Sequence, residues 1–492
     1  MPRILGTEIE YGIVAPEDQD ISPIMTSTMA ILAYAKKHTT ANGRRARWDY
    51  EPESPLRDTR GFDLRRYRQT PIVDPDAVGA ANMILTNGAR FYVDHAHPEY
   101  SAPETTDPMS AVIADRAGDV IMQEAADLSE VELKIYRNNV DGKGASYGAH
   151  ENYRFSRDTD WDTVAAALIP FFVTRQVYTG AGRVGLGQQG QEAGFQISQR
   201  ADYIETEISL ETTLNRGIIN TRDEPHSNPD QWRRLHVIIG DANMSETATY
   251  LKLGATSLVL DAIEDGVDFT DLTLRDPVAD VQRISRDLTC TERLQHDDHV
   301  THRTAIEIQR EYLRRVRKYD VDGDVVKRWE EVLDLLDDDP MRTSDILDWT
   351  AKLSLLEGLR QRGNLDWSHP KLALIDIQYT DIDPARGLYF ALASRGRIRR
   401  LTTDEQIAEA VANAPRDTRA YLRGGLLRRF PDDVVAASWD SLIVTADGDM
   451  VKLQIHDVEG LGADSLDNIV EEAPDMATLV EGLRQRGLAG LA

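Results

Sequence analysis

Residues 82–104, "NMILTNGARFYVDHAHPEYSAPE", constrain the fold more than any other stretch. Asn87-Gly88 sits between two apolar runs. That pairing is the strongest short-range signal for a β-hairpin, because both residues tolerate the positive φ of a tight turn. In the second run Phe91 and Val93 alternate with Arg90, Tyr92 and Asp94. A strand sends successive side chains to opposite faces. One face is therefore apolar and suited to a core, and the other carries a guanidinium, a phenol and a carboxylate. His95, His97 and Glu99 follow at once, with Pro98 expected to stop the ladder and leave Glu99 at its edge. The segment demands a sheet with one packed face and one face serving a polar site.

A second strand, "RILGTEIEYGIV" (3–14), places Glu8 and Glu10 two residues apart and so on one face. Two such acids repel unless a cation lies between them, and a hard divalent ion such as Mg²⁺ prefers oxygen ligands. If the two strands are neighbours, Glu8, Glu10, Asp94 and Glu99 converge. His95 and His97 could form a zinc pair, but the surrounding acids and the single cysteine, Cys290, favour an oxygen-preferring ion. In isolation each acid also fits a solvated strand face, and the convergence is what argues for chemistry.

Further elements are legible. "ISPIMTSTMAILAYAKKH" (21–38) has a helical pattern, with Met29, Leu32 and Ala33 at core spacing. Asp107-Pro108 opens a helix as N-cap and N1, with Met109, Val112, Ile113, Ala117, Val120 and Ile121 as the expected stripe. Strands are expected at 131–139, 195–210 and 233–243, helices through most of 301–362, and a hairpin at 441–455 around Asp447-Gly448. Strands mixed with helices, without regular βαβ alternation, argue an α+β fold with a mainly antiparallel sheet. A catalytic domain over 1–430 and a small α/β domain over 431–492 are expected, with a mobile charged loop at 51–80.

Composition excludes several classes. The net charge of -27 is opposite to that of a general nucleic-acid binder. No apolar run approaches ~18 residues, so no membrane span is expected. The first residues show no secretory signal, and a lone cysteine fits a reducing cytoplasm. Two glycine-rich stretches, 138–156 and 179–196, follow neither the Walker nor the dinucleotide spacing. His150-Glu151-Asn152 ends the first. Arg222, Arg233 and Arg234 could clamp phosphate or carboxylate, and His236 heads the strand beside them. Basic clusters at 310–318, 395–400 and 423–429 could gather into a groove for an acidic partner.

These runs, with "GTEIEYG", "NNVDGKGASYGAHENY", "QRADYIE", "INTRDEPH", "RRLHVIIGDANMSETATYLKLG" and "DTRAYLRG", resemble the deamidase/depupylase branch of the Pup ligase family, in order and over nearly the whole chain. The long insertion after the first helix, residues 48–83, resembles that branch and not the ligase branch. The resemblance implies a glutamine-synthetase-like fold. It implies a nucleotide-dependent hydrolase acting on Pup, a small acidic disordered protein, and on pupylated proteins. It implies Mg²⁺ at Glu8, Tyr92, Glu99, His150 and His236, with Asp94 as the catalytic aspartate. It also implies ATP contacts at Gly6, Thr7, Glu8, Ile9, Glu10, Arg90, Ser101, Ala102, Asn152, Arg234 and Trp439. A Pup ligase and a non-enzymatic Pup-binding adaptor are the competing readings.

Overall fold

The computed structural model describes residues 3–18, 20–38, 46–50, 53–61 and 77–491. Its centre is a six-stranded sheet, whose strands we number along the chain: β1 (Leu5–Glu10), β2 (Asn82–Ile84), β3 (Arg90–Asp94), β4 (His97–Ser101), β5 (Ala149–Ser156) and β6 (Trp232–Val237). The spatial order is β6-β5-β1-β4-β3-β2. Every neighbouring pair is antiparallel. The hairpin expected at Asn87-Gly88 joins β2 to β3. Leu85 N–H donates to Ala89 O, and Gly88 takes φ 81° at the position that needs it.

Helices α1 (Pro23–Lys37) and α2 (Pro108–Asp127) pack behind β1, β3 and β4. Behind β5 lies α4 (Glu246–Glu264), which in turn packs on α3 (Trp161–Thr179). The inward side chains Ile9, Phe91 and Tyr100 are at most 2% exposed and share one core with Ile31 and Ile121. Burial of each is worth roughly 1.5–3 kcal/mol. The opposite sheet face is left to polar side chains. A larger core gathers α3, α4 and the helices Ala305–Val316, Asp324–Asp338 and Asp348–Gly363.

A third core sits under a five-stranded sheet built on Val434–Ala437, Ser441–Ala446 and Asp449–Gln454. Asp447 and Gly448 both take positive φ at its hairpin tip. Its outer strand is Arg47–Trp48, pairing parallel with Ala436 and Ala437. No helix among the described residues is long and apolar enough to cross a membrane.

Three local expectations need correction. Pro98 does not stop the ladder: it lies inside β4, opposite Val93. Its carbonyl accepts from Tyr11 N–H, and its nitrogen faces the same way, just beyond the point where β1 pairing ends at Glu10 and Glu99. The missing donor therefore falls where no ladder bond is required. In α1 the fully buried positions include Ser27, Ala30, Ile31 and Tyr34, while Met29, Leu32 and Ala33 are half-buried, Leu32 against the same core. Ser27 and Thr28 tolerate burial because their hydroxyls donate to carbonyls one turn back. In α2 Asp107 caps as expected, accepting from Met109 and Ser110 N–H, but Val120 is 46% exposed. Buried polar pairs, Asp115 and Asp119 with Arg137, occupy that helix's inner side instead.

Candidate functional site

The open face of the sheet assembles its site by register. Glu8 on β1 pairs with Ser101 on β4 and with His150 on β5, and Glu10 pairs with Glu99. Tyr92 on β3 pairs with Glu99 from the other side, and His236 on β6 pairs with Asn152 on β5. Five strands thus deliver polar side chains to one surface, β3 alone bringing Arg90, Tyr92 and Asp94.

Two ligand clusters result. Glu8, His150 and His236 bring one donor atom each within 4.8 Å of one another, and so do Glu10, Asp94 and Glu99. The expected metal set is therefore divided: Glu99 lies with Glu10 and Asp94, and Tyr92 lines the same cleft. His150 Nδ1 lies 3.2 Å and His236 Nε2 3.8 Å from Glu8 Oε2, while Asn152 donates to Glu8 Oε1 at 2.9 Å. His95 is exposed beside Asp94, and His97 stacks on Tyr147 at 4.2 Å.

The electrostatics separate the acids. Burial pushes the Glu99 carboxyl well above the usual range, and Asp94, Glu10 and Glu8 push it further. Burial also raises Glu10. Glu8 and Asp94 behave oppositely. Burial pushes both up, but the His150 hydrogen bond with His236 and Arg234 holds Glu8 well below its ordinary value, and the His95 hydrogen bond at 3.1 Å holds Asp94 low. Asp94 is thus an ionised carboxylate at the cleft's edge. Burial drives His236 well below its ordinary pKa, so the ring is neutral. Its two nitrogens have no hydrogen-bond partner among the described residues although the residue is 1% exposed. A buried, neutral, unpartnered imidazole aimed at carboxylates fits a divalent cation. The three carboxylates Glu10, Asp94 and Glu99 fit Mg²⁺, whereas Glu8, His150 and His236 offer two imidazoles to one carboxylate.

Beside these clusters is a pocket walled by Gly6, Thr7, Glu8, Ser101, Ala102, Asn152, Arg234 and Trp439. It joins the carboxylate cleft through Glu8, Ser101, His226, Arg234 and Trp439, which line both. Three of the expected nucleotide residues sit differently. Ile9 packs in the core, Glu10 joins the carboxylate cluster, and Arg90 lies in the cleft with Trp48 and Tyr92 rings each 3.9 Å from its guanidinium. Arg234 donates to Asn152 Oδ1 at 3.0 Å and faces Glu8, whereas Arg233 donates to the Thr159 carbonyl.

Sequence reading missed several contributors. Trp48, Tyr50 and Glu53 surround Arg90, and Glu53 accepts from it at 3.2 Å. Glu224 accepts from Ser54 N–H, and Thr221 bonds Thr59 N–H and Asp58. Residues 53–61 of the irregular segment therefore dock on 221–224 at the cleft; residues 51, 52 and 62–76 of the expected mobile loop lie outside the described residues. Gly148 is the other omission. A Cβ there would lie 2.3 Å from His150 Nε2 and 2.6 Å from Glu10 Oε1, so only glycine lets the backbone pass between the two clusters. Its N–H donates to Glu10 Oε1.

Many arginines of the basic clusters are held by nearby acids. Arg310 pairs with Asp334 and Asp337, Arg315 with Asp271 and Glu311, and Arg317 with Glu330. Arg399 pairs with Glu331 and Asp345, and Arg423 is fully buried against Glu104.

Comparison with known proteins agrees with this architecture. The family model described as Pup-ligase protein matches residues 3–443. The chain is 57% identical to the Pup deamidase/depupylase of Mycolicibacterium smegmatis, over 96% of this chain and 99% of that one. It is 52% identical to the depupylase of Acidothermus cellulolyticus, covering 91% and 92%, and 39% identical to the Pup–protein ligase of Micrococcus luteus, covering 90% and 92%. The crystal structure of the complex between Pup and its ligase PafA superposes with a TM-score of 0.79 at 31% identity, covering 99% of this chain and 94% of that one. PafA in complex with ADP gives 0.72 at 34% identity, covering 82% and 95%. With its sheet, its site face and its sequence all in agreement, the chain belongs to the Pup ligase family.

Proposed function

We propose that this protein is a Pup deamidase and depupylase. It hydrolyses the C-terminal glutamine carboxamide of Pup to glutamate and cleaves the isopeptide bond between Pup and substrate lysines. The observation that carries the reading is an ionised Asp94 at the edge of a cleft whose floor, Glu10 and Glu99, forms no Arg or Lys ion pair among the described residues. Relatives at 57% and 52% identity named for deamidation or depupylation, against 39% for one named a ligase, favour hydrolysis over ligation.

Asp94 acts on the side-chain carbonyl, as nucleophile or as the base that activates water. Glu8, Tyr92, Glu99, His150 and His236 hold Mg²⁺. Bound MgATP supplies cation and phosphate charge that shape the site, and it is not consumed, because amide hydrolysis is downhill. Gly6, Thr7, Glu8, Ser101, Ala102, Asn152, Arg234 and Trp439, which wall the pocket, contact the nucleotide, and Arg90 faces it from the adjoining cleft. His95 holds Asp94 ionised. Residues 1–430 form the catalytic domain and 431–492 a small C-terminal domain, whose sheet and apolar core also take in Trp48, Ile84, Tyr421, Leu422 and Leu426 from the larger one. The protein works in the cytoplasm on Pup and pupylated proteins, without nucleic acid or membrane.

The test is incubation with glutamine-ended Pup, Mg²⁺ and ATP, following the mass of Pup. A gain of about 1 Da, as –NH₂ becomes –OH, is expected. A Pup–lysine adduct with ATP consumption would select the ligase, and binding without turnover the adaptor.

A further inference from the structure

The motif "DTRAYLRG", residues 417–424, has no part in the site as described, yet it is among the most densely bonded segments of the chain. Asp417, Thr418, Arg419 and Arg423 grip the chain leaving β4 or the tip of the β2–β3 hairpin, while Tyr421 bonds Glu471. Asp417 accepts from Thr106 Oγ1. Thr418 Oγ1 donates to the Glu104 carbonyl at 2.9 Å. Arg419 Nε donates to Glu104 Oε1 at 2.8 Å, and its Nη1 donates to the carbonyls of His226 and Ile455. Arg423 Nη2 donates to Glu104 Oε2 at 2.5 Å.

Arg423 also reaches the hairpin. Its Nε and Nη2 donate to Gly88 O at 2.9 and 2.8 Å, and its Nη1 to Trp439 O at 3.2 Å. The side chain is 0% exposed. Gly424 completes the fit: a Cβ there would lie 2.3 Å from Thr86 O and 2.8 Å from Gly88 N. The anchored points are functional on both sides. Gly88 leads directly into β3, which carries Arg90, Tyr92 and Asp94. Glu104, Arg419, His226 and Trp439 line the pocket beside the carboxylate cleft.

We propose that Arg423, braced by Glu104, is a positioning residue that locks the Asp94-bearing hairpin to the wall of the nucleotide pocket. One rigid planar fork fixes the hairpin tip relative to Trp439, so the reacting carboxylate and the nucleotide keep a constant offset. Only a guanidinium meets Gly88, Glu104 and Trp439 together; an ammonium has the charge but not the fork. The proposal rests on the hydrolase reading for its kinetic arm and is independent of it for its structural arm.

The experiment compares full-length wild type, Arg423→Lys and Thr418→Val, the last removing the hydroxyl bond to the Glu104 carbonyl and the weaker one accepted from Ala420 N–H. Ammonia release from glutamine-ended Pup with MgATP gives the kinetic arm, and hydrogen exchange gives the structural arm. Arg423→Lys should lower kcat about 100-fold, the size expected of a small misplacement of a reacting group, with KM for Pup near wild type. Amides of residues 86–94 should exchange faster while those of α4 keep their protection. Thr418→Val should give the same localised pattern at smaller amplitude. Wild-type kcat in Arg423→Lys, or exchange accelerated equally in α4 in both variants, would overturn the proposal. If the wild type itself released no ammonia, the hydrolase reading would fail, and the exchange pattern would still decide the clamp.

Discussion

Glu99 and Glu104 lie on one short stretch, β4 and its extension, and both carboxyls are largely buried, yet their surroundings are opposite. Glu104 is held by two guanidinium groups, and although burial pushes its carboxyl up, Arg423 and Arg419 outweigh this and bring it to about 2. Glu99 has Glu8, Glu10 and Asp94 for company, and its carboxyl rises well above the ordinary range. The first is a finished ion triad. The second is a cluster whose charges balance only when a cation arrives. Several other buried acids have an arginine partner, as Glu151 has Arg175 and Asp115 has Arg137, and Asp241 and Asp348 are each satisfied by three hydrogen bonds. Glu10, Asp94 and Glu99 instead crowd together with no Arg or Lys ion pair among the described residues, and that place is where the chemistry belongs.

The comparison can be broken or sharpened in order of effect. Asp94→Asn keeps the shape of the cleft and removes the reacting charge. Ammonia release from Pup should fall at least about 1000-fold with nucleotide binding retained, and near-normal turnover would remove Asp94 from the reaction. Next are the two glutamates themselves. Glu104→Ala strands two buried guanidinium groups and should cost about 3–5 kcal/mol in denaturant unfolding. Glu99→Gln, measured without metal, should leave stability unchanged or raised and should abolish the stabilisation that Mg²⁺ gives the wild type. Equal losses in the two variants would erase the contrast.

Acid provides the third test. Glu104 has a folded pKa near 2 against an ordinary 4.5, so between these values the unfolded chain binds a proton that the folded one does not. The triad's stabilisation, roughly 3 kcal/mol on this shift, is fully present above about pH 4.5 and is lost as pH falls toward 2. That loss should be absent in Glu104→Gln. The smallest effect is expected at the surface. Arg310→Ala breaks exposed pairs with Asp334 and Asp337 and should change stability by no more than about 0.5 kcal/mol, with Pup affinity unchanged. A large loss of Pup binding would support a basic groove at 310–318.

Much of the site was legible because strand alternation is a local rule. Glu8 with Glu10, and Arg90 with Tyr92 and Asp94, follow from a period of two and need no tertiary information. The hairpin at Asn87-Gly88 was legible for the same reason. The misread positions are those where a partner from elsewhere decides. Val120 looks like core but faces solvent because Asp115 and Asp119 turn inward to meet Arg137. Pro98 looks like a terminator but is harmless where β1 has stopped pairing. Trp48 and Tyr50 sit in an aperiodic insertion, and their stacking on Arg90 depends on a strand that joins the C-terminal sheet from some 390 residues away. The pairing of the basic clusters was not legible because charge along the sequence does not reveal the acids that face it across helices.

Which residues share a face, where the chain turns, and how much ligand chemistry is crowded onto two strands all depend on neighbours within a few residues, and so follow from local order along the chain. Only the tertiary structure decided how those faces are shared out: Glu8 with His150 and His236, Glu99 with Glu10 and Asp94, Glu104 with Arg419 and Arg423. Strand order and register bring together groups far apart in the chain, and the free energy of a buried charge is set by what lies within a few ångströms in space.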